Sequence, residues 1–508
     1  MNQACDKISA HFDSNAFMNR HMLRYYLIRY LLAKNGSFLF CDKDQFKTNE
    51  LLQDQFGNEL IGAGADLDIQ KSKFIIYSIK NIQSIFHTVT ILGILLNFGG
   101  QIFIEDPTHK VKLIVNPNNT LFGRGVYCYN HIVIVRGKMD HLTEELHVES
   151  MFHPPMQSID ENATNDFLYG IYLDNNKYLL SSRYEINTTN TKCKVSFDKH
   201  DLRIKSLEEF KIKAQVSRNH YWVIISDILL TSESVIENLH KVFSGYEQMI
   251  NETNTRIAFV LLGNFINCDF GSTEESDKEN ACIGNDFTKS NTLSEHLHEI
   301  QNNNLFTNFD KSREGFERLY YLLEKFPILM SNSTFFIVSG PNDIGPDLLP
   351  KNPLSDYYTS QLSKRFESKI YFFSNPSIID DGENKIFISR YSLAKELKEK
   401  TLFSYYGKKN LGLTNHWNIE PEILESILPP TLLGQQHLTP TSQNIISPLD
   451  HRLFLLPTPN LLFICDSSPS YSVKSMNQVW IVNPGSFKNT NSWVQYNVIN
   501  DSIDHVWL

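Results

Sequence analysis

The chain has 508 residues, and its 47 Lys and Arg against 57 Asp and Glu give a formal net charge of −10. At ~100–200 residues per domain the length predicts several domains. The acidity excludes a protein whose whole surface grips nucleic acid, since phosphate contacts need clustered Lys and Arg, while 41% hydrophobic residues exclude wholesale disorder.

Residues 1–72 form an N-terminal helical lead segment. Its start, Met1–Asp6, lacks the charged and apolar stretches of a secretory signal. Within His21–Ala33 the apolar residues Leu23, Tyr26, Leu27, Tyr30 and Leu31 follow i, i+3, i+4, i+7, i+8 spacing. That predicts a helix with one buried stripe and its arginines on a solvated face.

Residues 73–155 change period. The runs Lys73–Ser78, His87–Asn97, Gln101–Glu105, Val111–Val115, Val126–Arg136 and Glu145–Met151 read as strands, with Glu105–Lys110 as a hairpin loop. Short strands at this density predict a small barrel of the OB type. Such barrels bind single strands by stacking. Phe103, Tyr127 and Tyr129 are candidates, but Lys and Arg are sparse around them, which favours aromatics that fill a barrel or an interface.

Residues 156–215 read as a linker with edge strands. From 216 to 508 strands alternate with helices, predicting an α/β sheet covered on both faces. The predicted strands are Tyr221–Leu230, Arg256–Leu262, Thr334–Ser339, Ile370–Phe373, Lys385–Ser389, Arg452–Leu456, Leu461–Cys465 and Val479–Val482. The predicted helices are Glu233–Tyr246 and Lys311–Phe326, and the polar stretch 268–310 reads as a surface insertion. No stretch approaches the ~18 apolar residues of a membrane span. Seven scattered cysteines without a CxxC predict reduced thiols, with no disulfide frame and no zinc site.

Sites in α/β sheets form at strand ends. Those here are Ser226-Asp227-Ile228-Leu229, Leu262-Gly263-Asn264-Phe265 and Ser339-Gly340-Pro341-Asn342-Asp343, followed near the C-terminus by Asn483-Pro484-Gly485-Ser486. Their order resembles the calcineurin-like metallophosphoesterases, whose motifs are D-x-H, G-D-x-x-D, G-N-H-D/E, G-H-x-H and often N-P-G-S. In that chemistry two metals ~3.5–4 Å apart generate hydroxide and stabilise in-line displacement. Here Asp227 is kept, but Leu229, Asn264, Pro341 and Asn342 stand where the family has ligands or its catalytic His. The segment Phe463–Ser468 holds no His. The resemblance therefore implies a phosphoesterase fold with its loops kept and its chemistry lost: no catalytic residue, no metal and no cofactor.

An OB-fold ahead of such a domain resembles the B-subunits of replicative DNA polymerases. Phe103–Thr108, Leu262–Phe265, Val338–Gly345, Gly434–Pro440, Phe454–Cys465 and Asn483–Phe487 are similar to the epsilon branch of that family. The resemblance implies an α/β chain, α+β overall. It would comprise an N-terminal OB barrel and a four-layer calcineurin-like sandwich acting as a non-catalytic scaffold in the nucleus. The implied partners are the C-terminal zinc-containing domain of the polymerase epsilon catalytic subunit and other replication factors, with weak or indirect DNA contact and no membrane. It also implies that the family's N-terminal helical domain is truncated or absent. The joint between barrel and α/β domain is the expected docking face. The competing readings are a degenerate metal-dependent phosphodiesterase or exonuclease, a B-subunit of another replicative polymerase, and a stand-alone single-strand binder.

Structural roles are expected for the remnant loops. Asp227 caps a helix or satisfies loop amides, and Asn264 and Asn342 hold loop backbone through their side chains. His437 orders the turn before Leu438-Thr439-Pro440. Gly340 and Gly345 supply unusual backbone angles, and Gly485 a type II turn.

Overall fold

The computed structural model describes residues 14–34, 38–41, 74–116, 119–156, 221–266, 293–380, 384–405, 410–411, 421–441, 444–456 and 458–508. Past Met156 the expected linker lies outside the described residues, as does the first part of the polar insertion. No helix among the described residues is long and apolar enough to cross a membrane.

Helix α1 (Ser14–Lys34) has two buried faces instead of the expected single stripe. Tyr25, Ile28 and Leu32 pack on barrel residues Leu92, Ile94, Ile132 and Ile134. Leu27 and Leu31 pack on Phe454 of the α/β domain. Leu23, Tyr26 and Tyr30 are only half-buried. A helix wedged between two bodies must be apolar on both sides, and a one-stripe reading misses that. Arg24, expected in solvent, is buried and pairs with Asp450.

Strands β1 (Phe38–Cys41) and β2 (Phe74–Tyr77) run parallel and lead into β3 (Val89–Phe98). Then come β4 (Gln101–Glu105), β5 (Lys110–Ile114), β6 (Leu121–Phe122), β7 (Gly125–Cys128), β8 (Ile132–Asp140) and β9 (Glu145–Phe152). Five of these close a ring, β3-β4-β5-β9-β8 and back to β3, with β5 and β9 parallel and the other pairs antiparallel. This is the OB topology expected from the sequence. Val111 and Leu113 point inward while Lys110 and Lys112 point out, as period two requires. The hairpin at Glu105–Lys110 is as expected. Asp106 holds it, accepting the N–H groups of Thr108 at 2.7 Å and His109 at 2.9 Å on one oxygen and Ile79 N–H at 2.7 Å on the other.

The expected strand Val126–Arg136 is two strands. Asn130, at φ 67°, breaks it, and β7 leaves the ring. Tyr127 is fully buried, stacked 4.4 Å from the His153 ring, so it stacks within the protein.

The α/β domain is built on two sheets. The first has β10 (Tyr221–Ile225), β11 (Ile257–Leu262), β12 (Ser333–Val338) and β13 (Ile370–Phe373) parallel, extended by antiparallel β21 (Ser492–Asn497) and β22 (Ser502–Trp507). The second runs β14 (Ser377–Asp380), β15 (Lys385–Arg390), β18 (Leu461–Cys465), β20 (Trp480–Asn483), β19 (Tyr471–Lys474). Their inner faces interlock through Trp222, Ile224, Val260 and Phe336 against Ile386, Ile388, Leu461 and Phe463. Helices α2 (Glu233–Thr253), α3 (Leu293–Glu324), α4 (Pro327–Asn332) and α5 (Asp356–Arg365) contribute to the layer over the first sheet. Helices α6 (Leu393–Lys400) and α7 (Pro421–Gln435) cover the second. The result is four layers, helix–sheet–sheet–helix.

Three further expectations are corrected. The segment expected as strand Arg452–Leu456 begins inside a 3-10 helix, Ser447–Leu453, opened by Pro448 and turning Asp450 inward, and beyond it Phe454 makes only an isolated bridge to His437. Helix α3 begins at Leu293 instead of Lys311, so the last part of the supposed insertion is helical. The Tyr221–Leu230 strand stops at Ile225, where the site loop begins.

Barrel and α/β domain share a sheet. β7 pairs antiparallel with β16 (Thr401–Tyr405), which in turn pairs with β17 (Asn410–Leu411). Beneath it Gln435 accepts Ile132 N–H at 2.8 Å and donates to Ile132 O at 2.7 Å, and its amide lies 3.1 Å from His153 Nδ1. Thr431 accepts Val126 N–H at 2.9 Å. The core of the expected docking joint is thus filled from within the chain. Gln435→Leu leaves both polar groups of Ile132 unmet, at about 1–3 kcal/mol each. Urea unfolding should show a loss of about 2–4 kcal/mol, and a Leu variant as stable as the parent would show that Gln435 does not hold the joint.

Candidate functional site: strand-end loops closed by side-chain cations

The loops after β10, β11 and β12 converge, as the motif order suggested. Gly263 and Gly340 meet backbone to backbone. A Cβ on Gly263 would fall 1.8 Å from Asp343 Oδ2, and one on Gly340 2.5 Å from Asn264 Oδ1. Gly340 is therefore required by this approach, whereas Gly345 (φ 110°) and Gly485 (φ 79°) have the expected positive angles. The Gly263-Asn264 peptide is cis.

Asp343 fastens the junction. Its Oδ1 accepts Phe265 N–H at 2.6 Å and Ile266 N–H at 3.4 Å, and its Oδ2 accepts Gly340 N–H at 2.7 Å. Complete burial pushes this carboxyl up to about 6, against the lowering effect of those N–H groups and Lys351. Asn264 holds loop backbone as expected, accepting Asn342 N–H at 2.9 Å, and its amide reaches Asp227 Oδ1 at 3.4 Å. Asn342 contributes that backbone N–H, and its side chain is exposed. Pro341 offers its carbonyl.

Asp227 (φ 60°) is fully buried, and besides the Asn264 side-chain amide it is held by charged and hydroxyl groups instead of the helix or backbone N–H groups expected. Its partners are side chains: Ser486 Oγ donates to Oδ2 at 2.6 Å, Lys488 Nζ lies 3.5 Å from the same oxygen, and an Arg390 N–H donates to Oδ1 at 3.3 Å. Burial alone would raise this carboxyl. Arg390, Ser486 and Lys488 outweigh it and hold the group below the usual carboxylate range.

Sequence reading missed Arg390 and Lys351. The Arg390 guanidinium, 3% exposed, also donates to Gly263 O at 3.0 Å and Cys465 O at 3.1 Å, spanning three strand ends. Lys351 Nζ donates to the carbonyls of Gly340 and Pro341, both at 2.9 Å, and of Asp343 at 2.5 Å. Asn375 ties the two cations together. It clamps the Arg390 backbone through its side chain, at 3.0 Å to N and 2.8 Å to O, and bridges the Lys351 backbone through its own. The legible signal was a basic residue directly after each of two buried segments, Ile386–Ser389 and Leu349-Pro350.

Asn483 anchors the last loop, accepting N–H from Asp466 at 3.2 Å and Gly485 at 3.1 Å while donating to Asp466 Oδ1 at 3.0 Å. His437 lies elsewhere. Its Nδ1 accepts Thr439 N–H at 3.1 Å, ordering the turn as expected, and its Nε2 lies 3.3 Å from Asp450.

A two-metal centre needs several carboxylates or imidazoles facing one another. Among the described residues no group of three His, Cys, Asp or Glu is arranged to hold a metal ion. Asp227 is matched by cations and Asp343 by backbone, so the residues present do not fit that centre.

An OB barrel fused to a four-layer α/β domain with locked strand-end loops also fits what sequence comparison finds. Residues 222–473 match the family model of the DNA polymerase alpha/epsilon B-subunit, and residues 14–155 match the model of the DNA polymerase epsilon subunit 2-like OB-fold domain. Both halves thus fall in one class, the polymerase B-subunits. "DNA polymerase epsilon subunit 2" of Bos taurus is 23% identical over 84% of this chain and 66% of its own length. The DNA polymerase epsilon B-subunit of Arabidopsis thaliana is 24% identical over 84% and 69%, and that of Saccharomyces cerevisiae 23% over 92% and 65%. The chain belongs to the DNA polymerase epsilon B-subunit family. It spans between about half and two thirds of the length of the curated relatives it matches.

Proposed function

We propose that the chain is a non-catalytic accessory subunit of a nuclear polymerase epsilon complex. It would dock on the C-terminal zinc-containing domain of the catalytic subunit, stabilise it and link it to other replication factors. The observation that carries this reading is the centre of the α/β domain. Arg390 fills the space between Asp227, Gly263 and Cys465, and the loops are satisfied by one another. The four layers and the loop order support descent from a calcineurin-like phosphoesterase whose chemistry is gone.

DNA contact in this reading is weak or indirect. The outer barrel face carries Phe98 and Phe103 with Lys110 Nζ 5.6 and 6.0 Å from their rings, but its basic groups are offset by acids such as Glu145, 2.7 Å from Lys112. The net charge of −10 is compatible with a partner that holds the DNA. With the core of the joint filled, the rim of the joint is left as the docking face.

Co-expression with the C-terminal domain of the polymerase epsilon catalytic subunit tests the proposal. A stoichiometric complex that survives gel filtration is expected. Recovery of this chain as a free monomer at micromolar concentration would sink the idea.

A further inference from the structure

We infer that the centre of the α/β domain is built around two side-chain cations, Arg390 and Lys351, in the role that metal ions play in the fold it resembles, and that it takes up no divalent cation. The inference rests on the non-catalytic reading above and adds what replaces the chemistry. Phosphoesterase metals gather the strand-end loops around positive charge. Here the Arg390 guanidinium does so from within, donating to Gly263 O, Cys465 O and Asp227 Oδ1, one acceptor from each of three strand ends. A buried cation is costly unless its donors and charge are matched. The planar fork of arginine suits acceptors in several directions, and Asp227 supplies the opposite charge. Lys351 sits in a cradle of three carbonyl oxygens from one loop, the ligand type a hard cation would take.

The two positions are not independent. Asn375 binds the Arg390 backbone on both sides and pairs with Lys351 N–H at 2.6 Å and Lys351 O at 2.9 Å. One fully buried amide thereby fixes where both charges stand. A divalent ion entering here would meet Arg390, Lys488 and Lys351 with Asp227 already matched and both oxygens of Asp343 committed to backbone N–H groups. Asp466, a further buried acid near Arg390, is committed as well, to the N–H groups of Ala394 and Ser468 and to the Asn483 amide.

Thermal unfolding of the full chain tests this. Arg390→Ala should lower the midpoint by about 10 °C. Guanidinium chloride at tens of millimolar should return part of that loss in the variant but not raise the wild type, and sodium chloride should do neither. Titration calorimetry should detect no Mn2+ binding to the wild type. Stoichiometric Mn2+ binding, an Arg390→Ala midpoint equal to wild type, or a variant indifferent to guanidinium would each overturn the inference. Should Arg390→Ala not fold, the Asp227→Asn/Arg390→Met pair, which removes both charges, is expected to fold and to unfold at a higher temperature than Asp227→Asn alone. A pair no better than that single variant counts against it. Mn2+-dependent cleavage of a generic phosphodiester by the wild type, abolished by Asp227→Ala, would bring down the non-catalytic reading as well. A wild type without that cleavage, together with an Arg390→Ala variant indifferent to guanidinium, removes only the present inference.

Discussion

Arg24→Ala should cost the fold about 3–5 kcal/mol, the usual effect of breaking a buried ion pair from one side. Arg24 and Asp450 are each about 3% exposed at the side chain and joined by two hydrogen bonds, Nε to Oδ2 at 3.0 Å and Nη2 to Oδ1 at 2.5 Å, while Nη1 donates to Pro440 O at 2.6 Å. The residues are 426 apart in sequence, so the pair fastens the first described helix to the α/β domain. Burial raises the Asp450 carboxyl, but Arg24, and after it His437, drive it well below the carboxylate range. Its contribution is therefore complete above the unfolded value of about 3.9 and lost only as pH falls through the depressed folded value. In the variant the sign reverses. Burial without Arg24 lifts the carboxyl above its unfolded value, and stability is then lost as pH rises through the new one. Urea unfolding at pH 5 and pH 8 should show a smaller deficit for Arg24→Ala at pH 5. A deficit independent of pH, or under about 1 kcal/mol, would mean that the ion pair does not fasten the helix.

Asp343→Ala should be comparably severe. It leaves the N–H groups of Phe265, Ile266 and Gly340 without their acceptor, at roughly 1–3 kcal/mol for each buried donor. The 3.4 Å contact to Ile266 counts least, so about 3–5 kcal/mol is expected. Asp343→Asn keeps one acceptor oxygen and should fall between. Both variants release the junction where Gly263 and Gly340 touch, so amide exchange in 263–266 and 340–343 should quicken before exchange in the barrel does. Unchanged exchange there in a destabilised Ala variant would show that the carboxylate is not what holds the loops together.

The barrel was legible because its signals are local. Alternation in β5 and the Asp-Pro turn at 106–107 place a hairpin without help from the rest of the chain. Strands Ile370–Phe373 and Leu461–Cys465 were legible for the same reason, as short apolar runs between turn residues. Of the site, the converging loops could be read from the order of their motifs. What joins them was marked only by a single basic residue after each of two segments. Arg390 looks like the charge that ends a strand, and only the pairing of β15 with β18, which lines Arg390 up with Cys465, turns it inward. Lys351 lies between two prolines and gives no period at all. The Arg452–Leu456 run is apolar like a buried strand, yet Pro448 opens a 3-10 turn just before it and a buried ion pair decides where that turn points. Helix α3 shows the opposite failure. Its Asn-rich first half lacks the composition of a helix, but Leu293, Leu297 and Ile300 keep helical spacing through it.

The strand pairing between β7 and β16 sets a timetable for the chain. Ribosomes add about 5–20 residues per second, so the residues between Arg24 and Asp450 take roughly 20–85 s to appear. For that time Leu27 and Leu31 lack Phe454 to cover them, and for roughly 14–55 s of it, until Thr401 is made, the strand at 125–128 has no partner. The ring of five strands can close early, but its outlying strand β7 and the second face of α1 are completed only by residues 401–405 and Phe454 of the domain that follows. A release of truncated chains anywhere before residue 450 should therefore yield protein that is captured by chaperones or aggregates, instead of a soluble N-terminal barrel.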